Sequence, residues 1–273
     1  MIKLDFYLYC IKLNKKISAS LIISGIGIII SIIIWILDLY STTKLNVLGA
    51  VCLIGSLVLV IYDIILLKKE LSDSTGLANI KSVYMKSGDT KLIVNPPKNS
   101  DFKYKKKEFK NGTIFYSNEL NMYLCQNKII CAEMSNIKYK RIRKNLNKNS
   151  NNYLPFLAYK TNECKNHDEV FKNDLKLCMT SDIYINKSVL LHIGGYFDTY
   201  LTNIVCNKAL FNNSDNCKKY SAIEYPINHY DNSLKSIDDS DMNDEIGVST
   251  VAITHDNRMI IFTQNRCVAS GSA

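Results

Sequence analysis

The chain lacks the short motifs that most directly announce a chemistry. No serine sits in a G-x-S-x-G elbow, and neither a G-x4-G-K-[ST] loop nor a G-x-G-x-x-G run occurs. Activated-serine hydrolysis, P-loop phosphate binding and dinucleotide binding therefore have no signature to rest on. The nine cysteines, at 10, 52, 125, 131, 164, 178, 206, 217 and 267, form no C-x-x-C pair, and no histidine stands near them at zinc-finger spacing. An odd set without such pairs reads as reduced thiols in a reducing compartment rather than as a disulfide or zinc framework. Base-stacking motifs of the RNP type are missing too, so a nucleic-acid polymer is not an expected partner. No cofactor is expected.

Ionisable residues are also missing from the stretch Ile17 to Leu37. It and Val47 to Leu67 are two apolar runs joined by the polar link Asp38 to Asn46. A helix needs about 20 apolar residues to cross the hydrocarbon core of a bilayer, and each run is about that long. Asp63 is the one acidic residue of the second run; its place near the run's end suits the headgroup boundary, with a functional carboxylate as the rarer alternative. Lys3, Lys12, Lys15 and Lys16 precede the first run, and Lys68 and Lys69 follow the second. This bias predicts a two-pass cell-membrane protein with both termini cytoplasmic. A cleaved signal peptide is the rival for the first run, but that run is too long and is followed by a second. Gly25, Gly27, Gly49, Gly55 and Ser56 offer small faces for close helix contact.

The formal charge of +9 is concentrated between Lys68 and Lys148. Two patches carry it, Lys103 to Lys110 (KYKKKEFK) and Lys138 to Lys148 (KYKRIRKNLNK). Within them Lys105, Lys106, Lys107, Arg141 and Arg143 are candidate contacts for lipid headgroups or phosphate. A plain solvated face explains the same residues. Short runs rich in β-formers lie among them: Lys81 to Met85, Lys91 to Val94, Thr113 to Tyr116, Met122 to Cys125 and Lys128 to Ile130. Turn signals separate these runs, and Gln126-Asn127 suits a tight hairpin. The polar run Asn145 to Asn152 divides a basic region, residues 68–150, from the remainder, 151–273; residues 1–16 lead into the apolar pair at 17–67. Beyond the division, Asp168 to Cys178 has helical spacing, and the acidic run Asp231 to Glu245 reads as a solvated loop. His192 reads as structural, since no partner constellation is legible around it.

Two further stretches carry a resemblance. Ile193 to Asn203 is IGGYFDTYLTN, and Ile246 to Ala273 is IGVSTVAITHDNRMIIFTQNRCVASGSA, in which Gly247 to Thr254 and Met259 to Thr263 have strand patterns around a turn. Together they resemble Nudix-like domains of bacterial membrane proteins of the two-span-plus-Nudix type, which are associated with cyclic-oligonucleotide anti-phage signalling (CBASS). The resemblance implies that the C-terminal part begins a Nudix-like α/β/α sandwich. It makes Tyr196, Phe197, Asn203, Gln264, Ser270 and Gly271 candidate ligand-binding residues. The fold class expected is thus a membrane α-helical hairpin followed by a cytoplasmic α+β region. The G-x5-E-x7-R-E-U-x-E-E-x-G-U box, whose glutamates hold the Mg²⁺ ions of a Nudix hydrolase, is missing. The chain stops at Ala273 where that box would follow, so a truncated reading frame is expected, and no catalytic or metal-binding residue is assigned. The function implied is a membrane effector whose cytoplasmic domain senses a cyclic oligonucleotide and whose hairpins form homo-oligomers that perturb the bilayer. A membrane-tethered hydrolase and a lipid-held scaffold are the alternatives.

Overall fold

The computed structural model describes residues 2–13, 15–39, 46–75, 83–87, 94–109, 112–126, 131–167, 169–222, 226–228, 230–247, 252–253 and 259–260. Its organising core is helical. Helix α1 (Ile2–Leu13) buries Phe6, Tyr9, Cys10 and Leu13, an i, i+3, i+4, i+7 stripe that gives one apolar face. That face packs into a cluster with Ile142 and Leu146 of α5 (Ile137–Lys148), and with Phe156, Leu157 and Cys164 of α6 (Ser150–Asn166). Phe171, Phe197, Tyr200, Leu201 and Leu210 complete it. The polar run Asn145 to Asn152 forms the corner between α5 and α6, with Asn149 joining the two helices.

Strands from both sides of that corner pair with one another. β1 (Val83–Ser87) is antiparallel to β7 (Lys208–Asn212), which also pairs with β8 (Lys218–Ser221). β4 (Ala132–Met134) runs parallel to β6 (Val189–Gly195), whose other edge takes β5 (Leu175–Met179) antiparallel. A separate ribbon joins β2 (Lys105–Phe109) to β3 (Gly112–Tyr116). Shorter ladders join β9 (Ile227–Asn228) to β10 (Ser233–Leu234) and β11 (Ala252–Ile253) to β12 (Met259–Ile260).

Helices α2 (Lys15–Leu39) and α3 (Asn46–Thr75) lie against each other. They run antiparallel, because Ser20 meets Asp63 while Gly27 meets Ser56. Ser20, Ser24, Gly27 and Ser31 recur at alternating intervals of four and three, so they form one seam. The Ser20 hydroxyl donates to both Asp63 oxygens at 2.8 Å, and Ser24 donates to Oδ2 at 3.3 Å. Ser31 turns back to the Gly27 carbonyl at 2.8 Å.

These elements correct the expected fold class of a membrane hairpin followed by the start of a Nudix-like sandwich. Among the described residues no single helix is long and apolar enough to cross a membrane. Only a bent pair, Asp5–Leu13 with Ser18–Ile34 at 105°, passes by length and composition, and α3 contributes the shorter apolar stretch Val51–Leu66. Ile2–Leu13, expected within a lead into the apolar pair, forms α1 instead and turns at that bend into the α+β core. In place of a sandwich there are two three-stranded sheets and several ribbons, and of the expected C-terminal domain only the two-residue strands β11 and β12 are described beyond Gly247.

Local readings change too. Met122 to Cys125, taken as a strand, lies in helix α4 (Asn118–Gln126). Its start is set by Ser117, whose hydroxyl accepts the N–H of Leu120 at 3.2 Å, an N-cap that outweighs the β-forming side chains. The tight hairpin at Gln126-Asn127 is therefore absent at Gln126. Asp168 to Cys178 is not a helix, since α6 ends at Asn166 and Leu175 to Cys178 belong to β5, where five registered pairs with β6 override the spacing. Asp63 is 6% exposed, within the seam between the two helices. Lys128 to Ile130 and most of Lys91 to Val94 lie outside the described residues.

The seam generates a test. A Cβ at Gly27 would meet Ser56 Oγ at 2.8 Å, whereas at Gly25 nothing lies within 4 Å. Gly27→Leu should lower stability by about 1–3 kcal/mol through overpacking, while Gly25→Leu should not, as chemical denaturation of the two variants will show.

Candidate functional site

The polar centre of the protein is built around helix α5. Its sequence places Lys138, Ile142 and Leu146 four residues apart on the core-facing side, while Tyr139 and Arg143 form a neighbouring row. Lys138 of the first row meets the acidic loop at 237–244 while Ile142 and Leu146 enter the apolar core, and the second row meets Asp198.

Asp198 is 1% exposed. It is the third residue of a short helix, α7 (Tyr196–Thr199), which runs into a π-helical turn, Tyr200–Ile204. Its Oδ1 accepts from the Tyr9 hydroxyl at 2.6 Å and from Arg143 Nη1 at 2.9 Å. Its Oδ2 accepts from the Tyr139 hydroxyl at 3.2 Å and from the N–H of Gly195 at 3.1 Å. Four donors from three elements thus converge on one carboxylate, and the charge that burial would penalise is fully solvated by protein. The Arg143 guanidinium also lies 5.0 Å from the centre of the Tyr9 ring. Burial pushes the Tyr9 phenol well above its usual range, and Asp198 pushes it further. Burial likewise raises Tyr139 to about 12. Both tyrosines are therefore donors at any physiological pH.

Lys138 is 1% exposed, an unusual place for an ammonium. It spends its three protons on the Ile237 carbonyl at 2.6 Å, Asp244 Oδ2 at 2.6 Å and Ser240 Oγ at 3.3 Å. Burial pulls its pKa down, and the Asp244 carboxylate opposes that shift. Asp244 adopts φ 44, left-handed backbone that costs a non-glycine residue energy. Arg141 binds Asp241 Oδ1 through Nε at 2.6 Å, and the carbonyls of Asp238 and Ser240 through Nη2 at 2.7 and 2.8 Å. The acidic run expected to be a solvated loop is therefore the counter-charge of α5. The loop alone has no periodic signature, so its partner could be found only in three dimensions.

A third knot joins the two. His192, fully buried on β6, has Nδ1 2.9 Å from Thr180 Oγ1 and Nε2 3.0 Å from Asn243 Oδ1. The Asn243 amide donates to Thr199 Oγ1 at 2.8 Å, which orients its oxygen to the ring and places the imidazole proton on Nε2. Burial lowers the His192 pKa, and the Tyr139 ring stacks on it at 5.5 Å. It acts as a neutral structural link. Gly194 and Gly195 belong to the same packing, since a Cβ on either would meet the side-chain oxygen of Asn243 or Asn173 at 2.5 or 2.6 Å. These glycines serve close approach of two asparagines.

The sequence candidates distribute as follows. Phe197 is fully buried in the core, stacked on Phe171 at 4.9 Å, and Tyr196 sits beside it at the edge of the same cluster. Asn203 accepts the Asn243 N–H at 2.9 Å and donates to Asp244 at 3.4 Å. Gln264, Ser270 and Gly271 lie outside the described residues. Arg141 and Arg143 belong to the α5 network, whereas Lys105, Lys106 and Lys107 lie apart from it on β2. Sequence reasoning missed Tyr9, Lys138, Asp198 and Asn243 as a group. Only the even spacing of Lys138, Ile142 and Leu146 hinted that a basic residue faced the core. Among the described residues no group of three His, Cys, Asp or Glu side chains could hold a metal ion. No family model, no curated protein and no solved structure matches the chain.

Removing the charge of Asp198 leaves Arg143 buried without its partner. Asp198→Asn should therefore cost about 3–5 kcal/mol in chemical denaturation, and Tyr9→Phe, which deletes a single donor, about 1–3 kcal/mol. A pH effect comes from Asp182, whose carboxyl burial raises to about 6, with the neighbouring Asp238 adding to the rise against the Ile237 N–H it accepts. Because the folded protein then holds this proton more tightly than the unfolded chain, with its usual value near 3.9, Asp182 contributes falling stability from about pH 4 to about pH 6 and a constant penalty above. Asp182→Asn should flatten that window and raise the melting temperature at pH 7, as thermal scans across pH will record.

Proposed function

We propose that the protein is a lipid-associated relay: the α2–α3 pair lies against a membrane through its exposed aliphatic side chains and the α+β body, attached through α1, responds to the state of that pair. The observation that carries the first half is the inverted polarity of the pair. Helix pairs in water bury apolar side chains and expose polar ones. Here Ser24, Ser31 and Asp63 are buried at 4%, 1% and 6%, while Ile22, Ile23, Ile29 and Val58 stand out at 60%, 68%, 59% and 58% exposed. Small and polar residues in the seam with branched aliphatics outside is the arrangement that lipid favours, because hydrocarbon offers no reward for burying isoleucine and a penalty for exposing hydroxyls.

The second half rests on α1. It is one residue from α2 and has no attachment to lipid of its own, because its apolar stripe is spent on the body. A shift of α2 therefore tilts α1, and α1 can tilt only by loosening Tyr9 from Asp198 or by carrying α5 and α7 with it. Coupling of this kind needs an element with two arrangements. The π-helical turn after α7 supplies one candidate, since such turns are inserted residues that can be taken back into regular helix. The cyclic-oligonucleotide ligand implied by the sequence resemblance does not enter this reading, as Phe197 is core and Arg141 and Arg143 are neutralised by the chain's own carboxylates.

Flotation of the full chain with lipid vesicles tests the association: the protein should rise with the vesicles, and recovery in the soluble fraction overturns the reading. Hydrogen exchange tests the relay. Protection at residues 196–205 should change on vesicle binding in the wild type and stay unchanged in Tyr9→Phe; a change that survives the substitution removes α1 from the path.

A further inference from the structure

The β2–β3 ribbon stands apart from the core, and its two faces differ. The register sets Lys105 opposite Tyr116, Lys107 opposite Ile114 and Phe109 opposite Gly112. Side chains alternate along a strand, and directly paired residues share a face. Lys105, Lys107, Phe109, Ile114 and Tyr116 therefore occupy one side of the ribbon, and Lys106, Glu108, Thr113 and Phe115 the other. On the second side the charge is closed, with Lys106 bound to Glu108 at 2.7 Å. On the first, neither lysine is paired with a carboxylate among the described residues, and Phe109, Ile114 and Tyr116 are 51%, 55% and 40% exposed. The Lys107 ammonium lies 5.3 Å from the centre of the Phe109 ring, so charge and apolar surface are interleaved.

We propose that this face of the ribbon is a second lipid contact, selective for anionic headgroups, that docks against the membrane on which the α2–α3 pair lies. The proposal rests on that lipid-associated reading, which brings the ribbon near a bilayer at high local concentration. Charge complementarity identifies the occupant. Two unpaired ammonium groups on flexible stems suit the laterally mobile phosphates of a lipid surface, which demand no fixed geometry; a defined oxyanion pocket favours the rigid fork of arginine. The three apolar side chains beside them match the interfacial layer, where aromatic rings with a polar tip settle and an aliphatic chain can enter the acyl boundary. The ion-paired face then points to water.

A site-specific indole decides the matter. In the full chain with Trp35→Phe, which removes the single native tryptophan, Ile114→Trp reports the proposed face and Thr113→Trp the opposite one. Vesicles of brominated phosphatidylcholine, with or without phosphatidylglycerol, quench an indole that reaches the acyl boundary. Ile114→Trp should be quenched at least twofold more strongly with phosphatidylglycerol than without, Thr113→Trp should remain unquenched, and adding Lys105→Glu and Lys107→Glu should abolish the difference. Protein that floats with the vesicles but shows no quenching at position 114 overturns the ribbon proposal alone. Quenching equal at both positions, or independent of phosphatidylglycerol, overturns it as well, and protection of the indole by a single-stranded oligonucleotide in place of vesicles assigns the face to nucleic acid instead. Failure to float at all overturns the lipid-associated reading, and the ribbon proposal with it.

Discussion

A carboxylate with no access to water has to be solvated by the protein, and Asp198 recruits the fold to do it. Its four donors come from α1, α5 and the segment around α7, so satisfying one buried charge fixes how three parts of the chain meet. Asn147, which donates to the Leu13 carbonyl, and the N–H of Asn173, which donates to Asp5, add direction at the edges of the same helix. The apolar stripe of α1 would pack on many surfaces, since hydrophobic burial is not directional, but only one rotation and height puts the Tyr9 hydroxyl on Asp198 and its ring under Arg143.

The same logic explains why a chain so rich in lysine presents fewer free cations than its composition suggests. Helix α5 would be a strongly basic rod in isolation. In the fold, Lys138, Arg141 and Arg143 each find a carboxylate of the same chain, at Asp244, Asp241 and Asp198. What looked like a surface for foreign phosphate is an internal ion network bridging α5 to a loop about a hundred residues later. Lys140, Lys144 and Lys148 stay on the exposed side of the helix, and Lys105 and Lys107 stand on β2, where the ribbon supplies no matching acid on their side.

The parts of the fold that were legible in the sequence are those written in local periodicity. The apolar pair, the close approach of Gly27 to Ser56, β1 and β3 follow from patterns within a few residues. The hairpin interpretation rested on letter counts, whereas among the described residues no single helix is long and apolar enough to cross a membrane. The candidate site was hardly legible, because each of its groups is ordinary alone. An aspartate, a tyrosine and an arginine at positions 198, 9 and 143 have no spacing that relates them. Asp231 to Glu245 was misread for the same reason: a loop's role is set by what it touches, and here it touches a lysine that the sequence places among solvated ones.

The Tyr9 to Asp198 contact spans 189 positions of the chain, and that separation sets an order of events during synthesis. Helix α1 can be seated only once the chain has been made past residue 198, because its pocket is assembled from α5, α6 and the segment around that residue. Closing so long a loop is the entropically expensive step of folding, and until it happens Phe6, Tyr9 and Leu13 remain an uncovered apolar stripe directly ahead of α2. During that interval α1 is open to chaperones or to capture at a membrane.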